Sequence, residues 1–432
     1  MTIQDLVNGI TGGRFDEQLT TLYGSGGEFD SELLRQRARY LNAAEQFSRL
    51  YPECDEVRIF SAPGRTEVGG NHTDHQHGCV LAAAVNTDVI AIVAVTDDDV
   101  IRIKSEGYPE DAVELDSLEK RTDEEGTSAA LIRGISARFA QIGAKLTGIR
   151  AYTTSEVLSG SGLSSSAAFE NLVGTIIDRC FNGGKAGAVE IARIGQYAEN
   201  EYFGKASGLM DQMVSSVGGF VAIDFADPAE PVIEPVSFDF SGAGYSLCIT
   251  DTKGSHADLT PDYSAVPAEM HSVAEAMGKS FLREVEEDDF YSSLPELRKK
   301  CTDRAILRAA HFFGENERAV LEAQALRSGD LNEFFRIVNE SGESSSQLLQ
   351  NLYSASRPQY QEIPLALMLS RRFLKGAGAS RVHGGGFAGT IQAFVPEYLA
   401  KAYASELDRV FGGGSCHILR IRPVGGTELT LK

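Results

Sequence analysis

Leu158-Ser159-Gly160-Ser161-Gly162-Leu163-Ser164-Ser165-Ser166-Ala167-Ala168 stands between an apolar run, Ile149 to Val157, that reads as a strand and a segment, Ser164 to Phe181, with helical periodicity. Small residues let successive backbone N–H groups face one point, and the N-terminus of the following helix adds the positive end of its dipole. The stretch therefore reads as an anion cradle. No lysine follows Gly162, so the G-x-x-x-x-G-K-[ST] pattern is absent, and Ala151 to Asp178 contains neither Lys nor Arg. A flexible Ser/Gly linker would share the composition but not the tight apolar flanks.

Upstream, Pro63-Gly64-Arg65-Thr66-Glu67-Val68-Gly69-Gly70-Asn71-His72-Thr73-Asp74-His75-Gln76-His77-Gly78 follows a short strand candidate, Glu56 to Ser61, which Pro63 and Gly64 are expected to end before a Gly-rich turn. Histidines 72, 75 and 77 lie here beside carboxylates, at a spacing that matches no strong zinc pattern. Such a loop can hydrogen-bond a polyhydroxylated ligand, bind a metal, or simply cap itself. Downstream, Ser380-Arg381-Val382-His383-Gly384-Gly385-Gly386-Phe387-Ala388-Gly389 precedes a strand candidate at Thr390 to Val395. It is either a tight turn or a place where backbone meets ligand.

Around these clusters the 432-residue chain carries a formal charge of −21, with 42% hydrophobic and 23% charged residues. At this length core burial is not limiting, and about two or three domains are expected. The acidic excess argues against a broad nucleic-acid or anionic-membrane surface. The longest apolar stretch, Val80 to Val95, is interrupted at Asn86, Thr87 and Asp88 and falls short of a membrane span. No targeting pattern opens the sequence, and the six cysteines show no C-x-x-C or zinc-finger spacing. A cytoplasmic protein with reduced thiols, no membrane and no nucleic-acid partner is the expectation.

Val89 to Val95 and Val100 to Lys104 read as a hairpin across Asp97-Asp98-Asp99. Helices are expected at Ser31–Tyr51, Ser128–Ile142, Ala188–Phe203, Pro267–Leu282, Cys301–Gly314, Glu315–Ser328, Leu331–Gln350 and Glu362–Lys375, and further strands at Phe220–Phe225, Tyr245–Thr250 and Cys416–Arg422. Pro228 to Pro231 reads as a surface connection, and a boundary beside it divides the chain into 1–235 and 236–432.

Taken in order, PGRTEVGGNHTDH (residues 63–75), GLSSSAA (162–168) and GGGFAG (384–389) resemble the three motifs of the GHMP small-molecule kinases, and the first resembles the galactokinase signature within them. ENEYFGKASGLMDQ (199–212) and Ser356-Arg357-Pro358 are similar to further galactokinase segments, so the likeness runs from about Arg37 to the C-terminus. The resemblance implies an α+β fold of two domains, each a mixed or antiparallel sheet packed with helices, with the site in the cleft between them. It implies an ATP-dependent sugar 1-kinase that uses Mg²⁺, with galactose the first substrate to consider. Small-molecule partners only, and a monomer or weak homo-oligomer, are expected.

By the same likeness Arg65 and Asp211 act at the transferred phosphate and the sugar hydroxyl, and the backbone of Gly160, Ser161, Gly162, Leu163, Ser164, Ser165 and Ser166 cradles the ATP phosphates. Ser166 and Glu199 would hold Mg²⁺. Asn71, His72, Asp74, Gly208, Asp211 and Tyr263 would border the sugar, and Gly384, Gly385 and Gly386 would lie against the phosphate loop. Where the family usually has Glu-His-Thr-Asp-Tyr, this chain has Asn71-His72-Thr73-Asp74-His75, exchanging an acceptor-only carboxylate for an amide that also donates. The basic residues expected shortly after Tyr263 are missing, and His383 and Ala388 replace a hydroxyl residue and a glycine. Two alternatives therefore stand beside galactokinase: a kinase for a related sugar or sugar acid, and a non-catalytic binder of ATP and sugar.

Overall fold

The computed structural model describes residues 1–24, 29–157, 162–255 and 257–431. Side-chain alternation builds the first sheet. β1 (Arg58–Gly69) and β2 (Cys79–Thr96) are long antiparallel neighbours. β2 sends Val89, Ala91 and Val93 into one core and Ile90, Ile92 and Ala94 into another. Helices α1 (Ile3–Thr11), α2 (Asp16–Tyr23) and α3 (Phe29–Leu50) cover the second of these faces, and α4 (Ser128–Gln141), α5 (Ser165–Phe181) and α6 (Gly187–Tyr197) pack against the first. A strand covered on both sides reads as one apolar run, which is why Val80 to Val95 is the longest apolar stretch of the sequence. Among the described residues no helix is long and apolar enough to cross a membrane.

The sheet runs β12 (Thr427–Leu429), β1, β2, β5 (Gly148–Ser155), β3 (Val100–Ser105), β4 (Glu110–Glu114), with β6 (Phe220–Asp224) beside β2 and β7 (Val232–Val236) beside β6. Two expectations change. β2 and β3 do not form a hairpin, because β5 lies between them, antiparallel to β2 and parallel to β3, and β3 turns back on β4 instead. A parallel neighbour needs a crossover, which α4 supplies. Nor do Pro63 and Gly64 end β1: a register shift between Pro63 and Arg65 absorbs them as a bulge, which re-aims the side chains that follow.

α7 (Met210–Val217) packs on the first half of β2. Beyond it α8 (Thr260–Ala276), α9 (Glu287–Ser292), α10 (Leu294–Lys300) and α11 (Asp303–Ser328) share one core. α11 is a single helix through Gly314, where two were expected, and α8 starts before Pro267 and carries that proline inside. The second sheet is antiparallel, in the order β11 (Cys416–Leu419), β8 (Tyr245–Asp251), β10 (Thr390–Pro396), β9 (Ala379–His383). α12 (Leu331–Ser344) packs on one face through Phe334 and Phe335, and α13 (Glu362–Leu374) and α14 (Glu397–Phe411) cover the other. The chain then returns to the first sheet through β12.

Two features tie these layers to the site. Asp88 in β2, fully buried, accepts from Arg39 at 2.6 Å, Arg422 at 2.9 Å and Tyr23 at 2.6 Å, with Ser61 as a fourth donor, and so joins the N-terminal helices and the C-terminal return to the sheet. Arg381 in β9, equally buried, donates to the Val68 carbonyl at 2.7 Å and to Glu67 at 3.2 Å, binding the edge of the second sheet to β1.

Candidate active site

The bulge in β1 points Arg65 across to the first turn of α7, where its fork meets Asp211 with Nε to Oδ1 at 2.6 Å and the second nitrogen to Oδ2 at 2.7 Å. The remaining guanidinium nitrogen donates to the Gly162 carbonyl, and the Arg65 backbone N–H donates to the Leu163 carbonyl at 3.1 Å. Gly64 permits this approach, since a Cβ there would stand 2.8 Å from the Leu163 carbonyl oxygen. Ser164 is the N-cap of α5 in a left-handed conformation, φ 53°, and it gives its hydroxyl to Asp211 rather than to the helix. The first-turn N–H groups of α5 are thus left uncapped by that side chain. Burial pushes the Asp211 carboxyl up, but the charge and hydrogen bonds of Arg65, with that of Ser164, outweigh it and hold the group below its ordinary range.

Asp211 and Gln212 are adjacent on α7 and serve two centres. Gln212 donates to Glu170 at 2.9 Å and to Glu199 at 2.8 Å. Glu199 lies in a π-helical turn, Ala198–Phe203, that interrupts the end of the expected helix, a form of backbone often found at functional sites. Ser166 is one helical turn before Glu170, so both share a face of α5. Burial and the neighbouring Glu199 charge raise the Glu170 carboxyl to about 8. The ammonium of Lys205 sits 2.8 Å from the outer oxygen of Glu199. Neither Glu170, Gln212 nor Lys205 was singled out from the sequence; Glu170, four residues after Ser166, had the only local signal.

The sugar-side candidates gather on the other flank. Asp74, at the start of a single 3-10 turn, has Gly208 against it, a Cβ at 208 lying 3.8 Å from its carboxylate. His72, at φ 61°, pairs with the Gly385 carbonyl at 3.1 Å, and Tyr263 donates to the Gly386 carbonyl at 2.9 Å. Gly386 is pressed against Asn351: a Cβ would fall 2.1 Å from its carbonyl oxygen. The carbonyls of Gly384 to Gly386 thus face the first motif and its neighbours, and it is His383 and Thr390, at the ends of the third motif, that lie against Gly162 of the phosphate loop. His383 bonds Thr66 at 3.0 Å and Thr390 at 2.9 Å, and burial holds it near 3, neutral.

Asn71 is buried, and its amide is used within the protein: it donates to Glu67 at 2.9 Å and to the Gly384 carbonyl at 2.8 Å, and accepts from Asn351 at 3.0 Å. Glu67, which Asn71 holds, is a carboxylate four residues before it, and burial raises it. Glu315 of α11 braces this tip by accepting from the backbone of Gly70 and Asn71, each at 3.2 Å, and Arg318 and Arg381, with the Ser341 hydroxyl, outweigh its burial and hold it at about 2. Gly160 and Ser161 lie outside the described residues. Among the described residues no group of three or more His, Cys, Asp or Glu is arranged to hold a metal, so the histidines of the first motif do not form one.

Two sheets joined at this constellation define a small-molecule kinase of the GHMP type. The galactokinase galactose-binding signature matches residues 45–95, and the GHMP kinase N-terminal domain matches 130–219. Galactokinase of Thermotoga neapolitana is 32% identical over 333 residues, covering 76% of this chain and 87% of that one, and galactokinase of Streptomyces coelicolor is 28% identical over 377 residues, covering 87% and 94%. The crystal structure of Lactococcus lactis galactokinase complexed with galactose superposes with a TM-score of 0.73 at 24% identity over 89% of this chain and 98% of that one. A mevalonate kinase structure follows with a TM-score of 0.60 at 15% identity over 84% and 98%. The chain belongs to the galactokinase family, and it is a phosphotransferase.

Proposed function

We propose that the protein transfers the γ-phosphoryl group of ATP to the C1 hydroxyl of galactose. The observation that carries this reading is the Arg65 fork on Asp211 with Ser164 as a third partner. Asp211, held ionised, accepts or orients the proton of the attacking hydroxyl. Arg65 bridges that carboxylate and the phosphate loop, so its charge lies where negative charge must be compensated during transfer. The loop from Gly160 to Ser166 and the first turn of α5 supply backbone donors to the phosphates.

Mg²⁺ is part of the proposal. Magnesium takes one or two carboxylates and completes its shell with phosphate and water, so Ser166 and Glu199 suffice as protein ligands. The oxygen chemistry suits a hard cation, and the Lys205 ammonium already stands against Glu199 as a stand-in positive charge. When bound, Mg²⁺ neutralises the phosphate oxygens.

For the sugar we assign His72, Asp74, Gly208 and Tyr263 as bordering groups, with Asn71 acting through Glu67. The carboxylates of Glu67, Asp74 and Asp211 on this flank favour a neutral, hydroxyl-rich acceptor over a sugar acid. We further propose that 1–235 and 236–432 work as two units around the site, the last strand excepted, in a cytoplasmic enzyme that is a monomer or weak homo-oligomer. Coupled ADP release over a panel of hexoses and pentoses tests the reading. Galactose should give the highest kcat/KM; ATP binding with no ADP release from any sugar would overturn it.

A further inference from the structure

The phosphate loop brings no cation of its own, since Ala151 to Asp178 lacks Lys and Arg. A lysine from another element stands at the site instead. Lys205 has its backbone N–H fixed on the Glu199 carbonyl at 3.1 Å, while its side chain, 59% exposed, reaches the Glu199 carboxylate at 2.8 Å. Glu199 and Asp211 both favour its charge, so the ammonium stands on the acidic side of the site.

Glu199 has both oxygens engaged, one by Lys205 and one by Gln212. A metal ion arriving there competes with both donors for the carboxylate charge. Gln212 is 1% exposed and its amide also holds Glu170, so moving it would strand buried polar groups. The Lys205 end of its pair is exposed while Glu199 is buried, so an arriving cation can take the place of the ammonium without leaving the buried carboxylate unpaired. The lysine is therefore the partner that leaves, and its backbone tether keeps the freed ammonium near the phosphates.

Resting on the phosphotransfer reading, we propose that Lys205 is a mobile cation of the phosphate site: it neutralises Glu199 in the empty protein, yields it to the divalent ion, and passes to a phosphate oxygen of the nucleotide. This gives Lys205 two opposed effects, competitor of the metal and ligand of the nucleotide.

Two titrations on Lys205→Met and Lys205→Arg separate them. With Mn²⁺ alone, followed through the loss of the free-ion paramagnetic signal, Lys205→Met should bind at least about threefold more tightly than wild type. With ATP in excess EDTA, followed by calorimetry, it should bind at least about tenfold more weakly, and Lys205→Arg should restore most of the difference. A merely structural lysine would move both affinities together or neither, and either result overturns the proposal. Wild-type protein that binds neither Mn²⁺ nor ATP would instead remove the phosphotransfer reading on which the proposal rests.

Discussion

Asp211 is ionised at neutral pH because a bidentate arginine and a serine hydroxyl outweigh its burial, and that state suits a group that must receive or orient a proton. Asp211→Asn keeps the shape and removes the charge. Its kcat should fall by about 100-fold or more while ATP affinity measured by calorimetry stays within about twofold; a kcat near wild type would show that Asp211 only anchors Arg65. Asn71 makes a different prediction. Truncation in Asn71→Ala strands the Gly384 carbonyl and leaves Glu67 to Arg381, a cost of about 1–3 kcal/mol if the groups stay buried, so KM for the sugar should rise about tenfold with KM for ATP unchanged. Equal effects on both constants would point to loss of fold. Arg65 and Asp211 are 146 residues apart, and only the motif resemblance could pair them. The Glu67–Asn71 contact stayed hidden because Pro63 and Gly64 read as the start of a Gly-rich turn, whereas β1 runs on through a bulge to Gly69, and Asn71 just beyond it reaches Glu67.

Asp88 interrupts the apolar run of β2, and from sequence its value was negative: it spoke against a membrane span. In the fold it is the anchor of the central strand, with two arginines from distant parts of the chain closing on it. Asp88→Asn removes the charge, leaves the buried Arg422 without this counter-ion, and leaves Arg39 with Glu156 at 3.4 Å. The expected cost is about 3–5 kcal/mol, read from urea unfolding, with folding lost altogether if the wild type has little to spare. A change under about 1 kcal/mol would mean that water reaches the arginines. Helices were the more legible elements, since α3, α4, α5 and α13 follow periodicity written locally, with a Thr127 cap on α4. Strand partners were not, because nothing near Asp97 to Asp99 records that β5, beyond α4, will come between β2 and β3. Gly314 shows the same limit in a helix: burial on several sides carries α11 through a residue that would weaken it in isolation.

The whole molecule carries −21, and that charge alone predicts a response to acid: as pH falls the negative excess shrinks, self-repulsion weakens, and stability should rise. The buried histidines predict the reverse. His311 links the Asn71 carbonyl to Ser344 and His383 links Thr66 to Thr390, so both sit where the first motif meets the second half of the chain. Burial depresses them to about 4 and about 3, against an ordinary value of 6.5. Each is neutral in the fold and takes a proton only when released, so its contribution is complete above about pH 6.5 and drains away as pH falls toward the folded values. His75, also lowered, works in the same direction. Near pH 5 the unfolded chain holds about two protons more than the fold on His311 and His383 alone, a slope of about 2.7 kcal/mol per pH unit. Buried carboxyls oppose them: burial raises Glu170 to about 8 and Glu322 well above its ordinary range, so the fold keeps their protons where the unfolded chain has shed them, and their contribution grows as pH falls. The histidine share is therefore read from a variant. From about pH 7 to about pH 5 the stability of His311→Gln relative to wild type, taken from urea unfolding, should rise by up to about 1.4 kcal/mol per pH unit, the slope for one proton. A difference that stays constant with pH would show that His311 takes up no proton on unfolding.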